Sequence, residues 1–292
     1  MTEAFNAKDL FNAFNTSPDE CEVIMGQLFS EVVAKNIPLA ARLEPNRKRL
    51  LDATKRAIAA CESPIEKAFV GGLLMGFLFR ADNTLLISKA GLNAPVFSES
   101  VRRYFNERRK IEDDWEEYKK DYAEDLRNMP LQHREEHLQQ EPLLDTLEAY
   151  VNSLIFRGRI SQNDFDMMFK HPIVSLGYSG WSAFILSPQA IFPKCGSGGK
   201  DARVDIYIWC PAQPEFNMVV ECDGYEWHSS REMFTSDRQR DRNFQRKNFN
   251  VYRFSGSELF DNMYGVAEEA WKSAVFHRFD GKKDVNLYGF RS

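Results

Sequence analysis

The sequence predicts an α/β (α+β) fold: a mixed sheet flanked by helices, with a large helical N-terminal region and a helical insertion. Three observations predict it. From about Glu20 to Ala60 apolar residues recur at helical spacing, and from about Ser98 to Tyr150 opposite charges lie three or four apart. After about Gly177 short β-branched and aromatic runs alternate with Gly, Pro and Ser clusters. Between the last two of those runs lies a polar, basic stretch of helical character.

Taken in order, residues 1–60 read as a helical N-terminal region, because Ile24, Met25, Leu28, Phe29, Val32 and Val33, then Leu50, Leu51, Ala57 and Ile58, follow helical spacing. Residues 61–80 hold a buried helix. Ser63 is a good N-cap, Pro64 suits the first helical position, and Glu66 completes a capping box. Residues 81–180 read as a helical accessory insertion, charged and rich in opposite charges three or four apart, with a break at Met129-Pro130. Residues 181–292 carry the sheet. Its strands are AFILSPQAIF, ARVDIYIW, MVVECDG and NVYRFS, separated by KCGSGGKD and CPAQPEFN turns and by a helix within Ser230–Asn248.

Composition narrows the function classes. Of 292 residues, 38 are Lys or Arg and 43 are Asp or Glu, a net charge of −5, which excludes a protein that coats nucleic acid by bulk charge. No basic segment followed by an apolar one opens the chain, and the longest apolar run, Ala68 to Phe79, is shorter than the ~20 residues a membrane span needs. The expectation is a cytoplasmic protein without a membrane partner. The five cysteines contain no CxxC pair, which argues against structural zinc and a disulfide framework.

The chemistry concentrates in the last third. Strand alternation in MVVECDG puts Glu221 and Asp223 on one face, and in RVDIYIW it puts Asp205 opposite the face of Val204, Ile206 and Ile208. If the two strands pair, Asp205 falls beside Glu221. Carboxylates that close destabilise one another unless a positive group sits between them. A hard divalent cation, Mg2+ or Mn2+, suits the place, because magnesium takes one or two carboxylates plus water and phosphate oxygens. The plainer alternative is that these acids are exposed strand-end residues satisfied by water or arginine.

Downstream, Arg231 to Arg253 carries seven Lys and Arg against three acids. Arg238, Arg242 and Arg246 share a helix face, with Gln245 beside them, as a phosphate-binding surface would require; the alternative is a solvated helix whose arginines pair with Asp237 and Asp241. His133 and His137, four apart, sit among Arg134, Glu135 and Glu136 and read as a solvated face rather than a metal site.

The ordered set SPIE (Ser63 to Glu66), Pro188-Gln189, RVD (Arg203 to Asp205), VVECDG, His228, Asp237 and Asp241-Arg242, then VYRFSGSEL resembles the PD-(D/E)XK nuclease superfamily, within it the branch related to very-short-patch repair endonucleases. The match covers about Ser63 to Phe79 and Phe184 to Asp261. It implies a restriction-endonuclease-like core split by the insertion, and a Mg2+- or Mn2+-dependent nuclease acting on DNA more than RNA. By analogy alone it suggests defence or repair. It also implies roles. Asp205, Glu221 and the backbone carbonyl of Cys222 would ligate the metal, with Glu66 reaching a metal-bound water or a second ion. Gln189 would position water or phosphate, His228 would act as acid, base or phosphate contact, and Arg242 would hold the phosphate. The superfamily's usual lysine is here Asp223, leaving its role to His228, Gln245 or Lys247. That departure, with the acidic insertion, keeps a second expectation open: an inactive nuclease-like module that binds nucleic acid or a protein partner, the latter through the insertion. Glu66 as a mere capping residue, and His228 as a packed or surface histidine beside Trp227, stay open as well.

Overall fold

The computed structural model describes residues 55, 58–78, 84–140, 143–170, 174, 183–224 and 231–278. The expected N-terminal helices therefore lie almost wholly outside the described residues. The chain divides into two compact units, residues 1–98 with 182–292, and residues 99–181.

The first unit is built on a five-stranded sheet in the order β1 (Thr84–Ile87), β2 (Ala183–Phe192), β3 (Ala202–Cys210), β4 (Gln213–Asp223) and β5 (Asn250–Ser255). It is mixed: β2, β3 and β4 form an antiparallel meander, while β1 and β5 run parallel to β2 and β4. Helix α1 (Pro64–Leu78) precedes β1, and α2 (Ala94–Asn128) begins in this unit and continues into the second. Helices α3 (Leu131–Gln140), α4 (Leu147–Phe156) and α5 (Gln162–Phe165) belong to the second unit, α6 (Arg231–Gln245) links β4 to β5, and α7 (Gly256–Arg278) follows β5. Two expectations change here. The insertion starts at Glu99 rather than residue 81, because Thr84–Ile87 extends the sheet; an apolar run of four residues is too short for its period to separate strand from helix. And CPAQPEFN is no long turn. Only Pro211 and Ala212 turn the chain, because β4 already pairs from Gln213 with Cys210.

One face of the sheet buries Leu186, Ile206, Ile208, Met218, Val220 and Phe254 against Phe69, Val70 and Leu73 of α1 and Leu259, Val266 and Ala270 of α7. Burying a side chain of this size stabilises by roughly 1.5–3 kcal/mol. The other face packs on α6 through Phe244, which meets Phe192 and Phe249 edge to face. Helices α1 and α7 start alike. Ser63 Oγ accepts from Glu66 N while Glu66 Oε1 accepts from Ser63 N, and Ser255 and Glu258 repeat the exchange. At Gly256 a Cβ would lie 3.0 Å from Ile65 Cδ1, so the absence of a side chain lets α7 start close against α1.

The second unit is helical, as its charged sequence implies. Its buried side chains include Phe105, Tyr122, Val151 and Met168, and Trp115 Nε1 donates to the Leu144 carbonyl at 2.9 Å. His137 stacks on Tyr122, and His133 is exposed. No helix among the described residues is long and apolar enough to cross a membrane. Cys61, Cys195, Cys210 and Cys222 are buried.

Candidate active site

Strand register assembles the acids. On β3 and β4, Ile206 pairs with Val220, so the next residues, Asp205 and Glu221, stand directly opposite one another. Opposed residues of antiparallel strands have Cβ atoms about 4.5–5.5 Å apart and share a face. On the far side of β4, Glu221 pairs with Arg253 of β5. On the far side of β3, the pairs Pro188 with Ile206 and Ala190 with Val204 put Gln189 opposite Asp205. Gln189, Asp205, Glu221 and Arg253 thus occupy one row across four strands.

Each member has a distinct environment. Asp205 Oδ2 accepts the backbone N–H of Cys222 at 2.7 Å. Burial pushes its carboxyl up to about 6; the Cys222 hydrogen bond opposes this and the charge of Glu66 adds to it. Glu221 is 5% exposed, and burial pushes it up to about 8, with Arg240 opposing and Asp205 adding. Arg240 Nη2 lies 3.2 Å from Glu221 Oε1, out of hydrogen-bond alignment, and that oxygen is buried with no hydrogen-bond partner.

Asp223 is held differently. Arg253 donates to it in a fork, Nε to Oδ2 at 2.8 Å and Nη2 to Oδ1 at 2.9 Å, and turns Nη1 to both oxygens of Asp241. Asp237 Oδ2 lies 3.4 Å from the same guanidinium. Burial works against the charge of Arg253, but hydrogen-bonded Asp223 with Asp241 and Glu221 outweighs it, so its pKa rises. Arg253 therefore ties β4, β5 and α6 together, and it accounts for Asp223 without a metal.

Glu66 reaches the same end of the sheet from α1. Oε1 closes the capping box, and Oε2 accepts both Glu62 N at 3.1 Å and Gln189 Nε2 at 2.7 Å. Capping and placement near the acids are thus compatible: Asp205 and Cys61 both feel the Glu66 charge. Gln189 is 5% exposed at φ 50, a conformation strained for a side-chain-bearing residue, and its Oε1 is buried without a hydrogen-bond partner. The turn at Gln189 also changes the alternation of β2. Leu186 faces α1, whereas Phe192, an even number of residues on, meets Tyr207 and Phe244.

The expected phosphate contacts lie elsewhere. Arg238, Arg242, Gln245 and Arg246 are exposed, with Arg238 over the ring of Phe234, while Asp237, Arg240, Asp241 and Phe244 form the sheet-facing stripe of α6. Lys247 points its Nζ at Cys195 Sγ, 3.1 Å away, so neither it nor exposed Gln245 stands beside the acids. His228 lies outside the described residues. Arg240 and Arg253 are the residues that sequence reasoning passed over. The signal for Arg253 was a lone arginine in the apolar strand NVYRFS, and for Arg240 the i, i+3, i+4 spacing of Asp237, Arg240 and Asp241.

Among the described residues, no group of three or more His, Cys, Asp and Glu side chains is arranged to hold a metal ion. The reason is visible: Asp223 is clamped by Arg253, and both oxygens of Glu66 are engaged. Asp205 and Glu221 remain, two opposed carboxylates with an unpartnered buried oxygen, plus the Gln189 amide oxygen. That donor set fits magnesium or manganese with the rest of its shell filled by water and substrate oxygens. The chain matches no family model, and no curated protein or solved structure matches it.

Proposed function

We propose that the protein is a metal-dependent nuclease of the PD-(D/E)XK type that hydrolyses phosphodiester bonds of nucleic acid, DNA before RNA, with a restriction-endonuclease-like core. The observation that carries this reading is the opposition of Asp205 and Glu221 on neighbouring strands, both with raised pKa values and Glu221 with an unpartnered oxygen. Burying two carboxylates against each other costs stability, so a ligand that takes up their charge is the natural reason to keep them. A mixed sheet flanked by helices and interrupted by a helical unit agrees with the resemblance.

Asp205 and Glu221 would hold one Mg2+ or Mn2+, with the Cys222 carbonyl as a neighbouring donor. When bound, such an ion neutralises phosphate charge and lowers the pKa of water, which is the chemistry in-line hydrolysis needs. The chain's own groups do the positioning. Cys222 N–H fixes the carboxylate of Asp205, Glu66 orients the Gln189 amide, and Arg253 holds both carboxylate oxygens of Asp223. Incubating supercoiled plasmid and single-stranded DNA with Mg2+ or Mn2+ tests the reading. Wild type should cleave and Asp205→Ala and Glu221→Ala should not; equal cleavage by all three removes the assignment.

One observation favours a second reading. Arg240 already sits at Glu221 and Arg253 at Asp223, so the acids have internal cations, as in a nuclease-like module that only binds. The helical unit would then be the surface for a protein partner, with Leu131 and Leu138 exposed and Phe156 92% exposed. Calorimetry separates the two: DNA binding with no uptake of Mn2+ at millimolar concentration supports the module.

A further inference from the structure

Around the acidic row the cations are unequally committed. Arg253 makes four hydrogen bonds to Asp223 and Asp241. Arg203 is forked onto Glu62 at 2.7 and 2.8 Å. Arg240 is different. Its Nη2 lies 3.2 Å from Glu221 Oε1 and 3.7 Å from Asp237 Oδ1, neither contact is a formed hydrogen bond, and its Nε is buried without an acceptor. The pair therefore leaves a donor and an acceptor unsatisfied within one contact. A buried polar atom without a partner costs about 1–3 kcal/mol, and native structures keep few of them. A cation bound at Glu221 together with an anion bound at Arg240 would satisfy both.

We propose that Arg240 serves two partners in turn: it balances the charge of Glu221 while no divalent ion is bound, and it donates to a phosphate oxygen of the nucleic acid once an ion occupies the carboxylate pair. The inference rests on the metal-dependent reading above and deepens it by naming the arginine that meets the substrate. Its place on α6 supports this. Arg240 lies on the stripe that faces the sheet, its side chain is 19% exposed and so still reachable, and exposed Arg242, two residues on, lies on another face of the helix. Arg240 already stands at Glu221, one of the two carboxylates that would hold the ion. The exchange makes and breaks no covalent bond: the Arg240–Glu221 ion pair gives way to an ion held by the carboxylates and a phosphate held by Arg240.

The two roles predict opposite effects of one substitution. Removing the guanidinium removes a positive charge that competes with the ion, and a unit charge a few ångströms away in a partly buried site is worth more than a factor of ten. Isothermal titration of the full chain with MnCl2, without nucleic acid, should therefore find Arg240→Gln binding Mn2+ about tenfold more tightly than wild type. At saturating Mn2+, cleavage of supercoiled plasmid by Arg240→Gln should fall by about 10²-fold in kcat, in the range seen for loss of one charge-stabilising donor. Arg240→Lys, which keeps the charge, should bind Mn2+ like wild type, and it guards against misreading a folding defect. Lys120→Ala, at an exposed position of α2, should leave both readouts unchanged. Unchanged or weaker Mn2+ binding in Arg240→Gln overturns the charge-balancing role, and undiminished kcat at saturating Mn2+ overturns the phosphate contact. A wild type that takes up no Mn2+ overturns the metal-dependent reading and the inference with it.

Discussion

Gln189 Nε2 donates to Glu66 Oε2 at 2.7 Å across 123 residues of sequence. This buried bond joins the first turn of α1 to the strand that follows the helical unit. It ties together two parts of one core that the helical unit separates in sequence.

Glu66→Ala should cost about 2–4 kcal/mol, read as a lower urea midpoint at unchanged slope. The capping exchange contributes about 1 kcal/mol, and the stranded Gln189 amide about 1–3 kcal/mol. Glu66→Gln offers one carbonyl oxygen in place of two carboxylate oxygens, so it keeps the bond from Ser63 N or the bond from Gln189 Nε2 but not both, and it should lose about 1–2 kcal/mol. A larger fall in cleavage than in stability for Glu66→Gln would show that the carboxylate charge itself is used.

Arg253→Met should destabilise by about 3–5 kcal/mol in the same assay, because it strands Asp223, Asp237 and Asp241 around a half-buried gap. Arg246→Ala, at an exposed position in the turn after α6, should stay within about 0.5 kcal/mol of wild type. Equal effects would mean that the network around Arg253 contributes nothing.

The strands and the capping box were legible because their signals are local: β-branched runs between turn residues, and S-P-I-E before an apolar helix. Asp205 beside Glu221 was legible too, since period-two alternation and a hairpin suffice. What the chain concealed depends on distant pairing. Arg253 reaches Glu221 only through the parallel register of β4 and β5, with α6 between them in sequence. The inward turn of Arg240 rather than Arg242 is set by Phe244, whose burial fixes the rotation of α6. Thr84–Ile87 was hidden by its brevity, and α7 went unread although Leu259, Val266, Ala270 and Ala274 keep helical spacing.

Without added metal, stability should fall as pH rises. Asp205 and Glu221 are raised in the fold, so between their unfolded values near 4 and their folded values of about 6 and about 8 the native state holds more protons than the unfolded state. Their contribution is fully present below about pH 4 and is lost as pH passes through about 8. The melting temperature should therefore decline from pH 5 to pH 8.5, and Asp205→Asn with Glu221→Gln should flatten that decline. Millimolar Mn2+ at pH 8 should restore stability in wild type and not in the double variant.

The most direct test is a crystal soaked in MnCl2 at pH 8 or above and measured for anomalous scattering by manganese. The account predicts one strong peak about 2 Å from a carboxylate oxygen of Asp205 and one of Glu221, with Arg240 turned from Glu221. No peak there, with Glu221 still against Arg240, would contradict it.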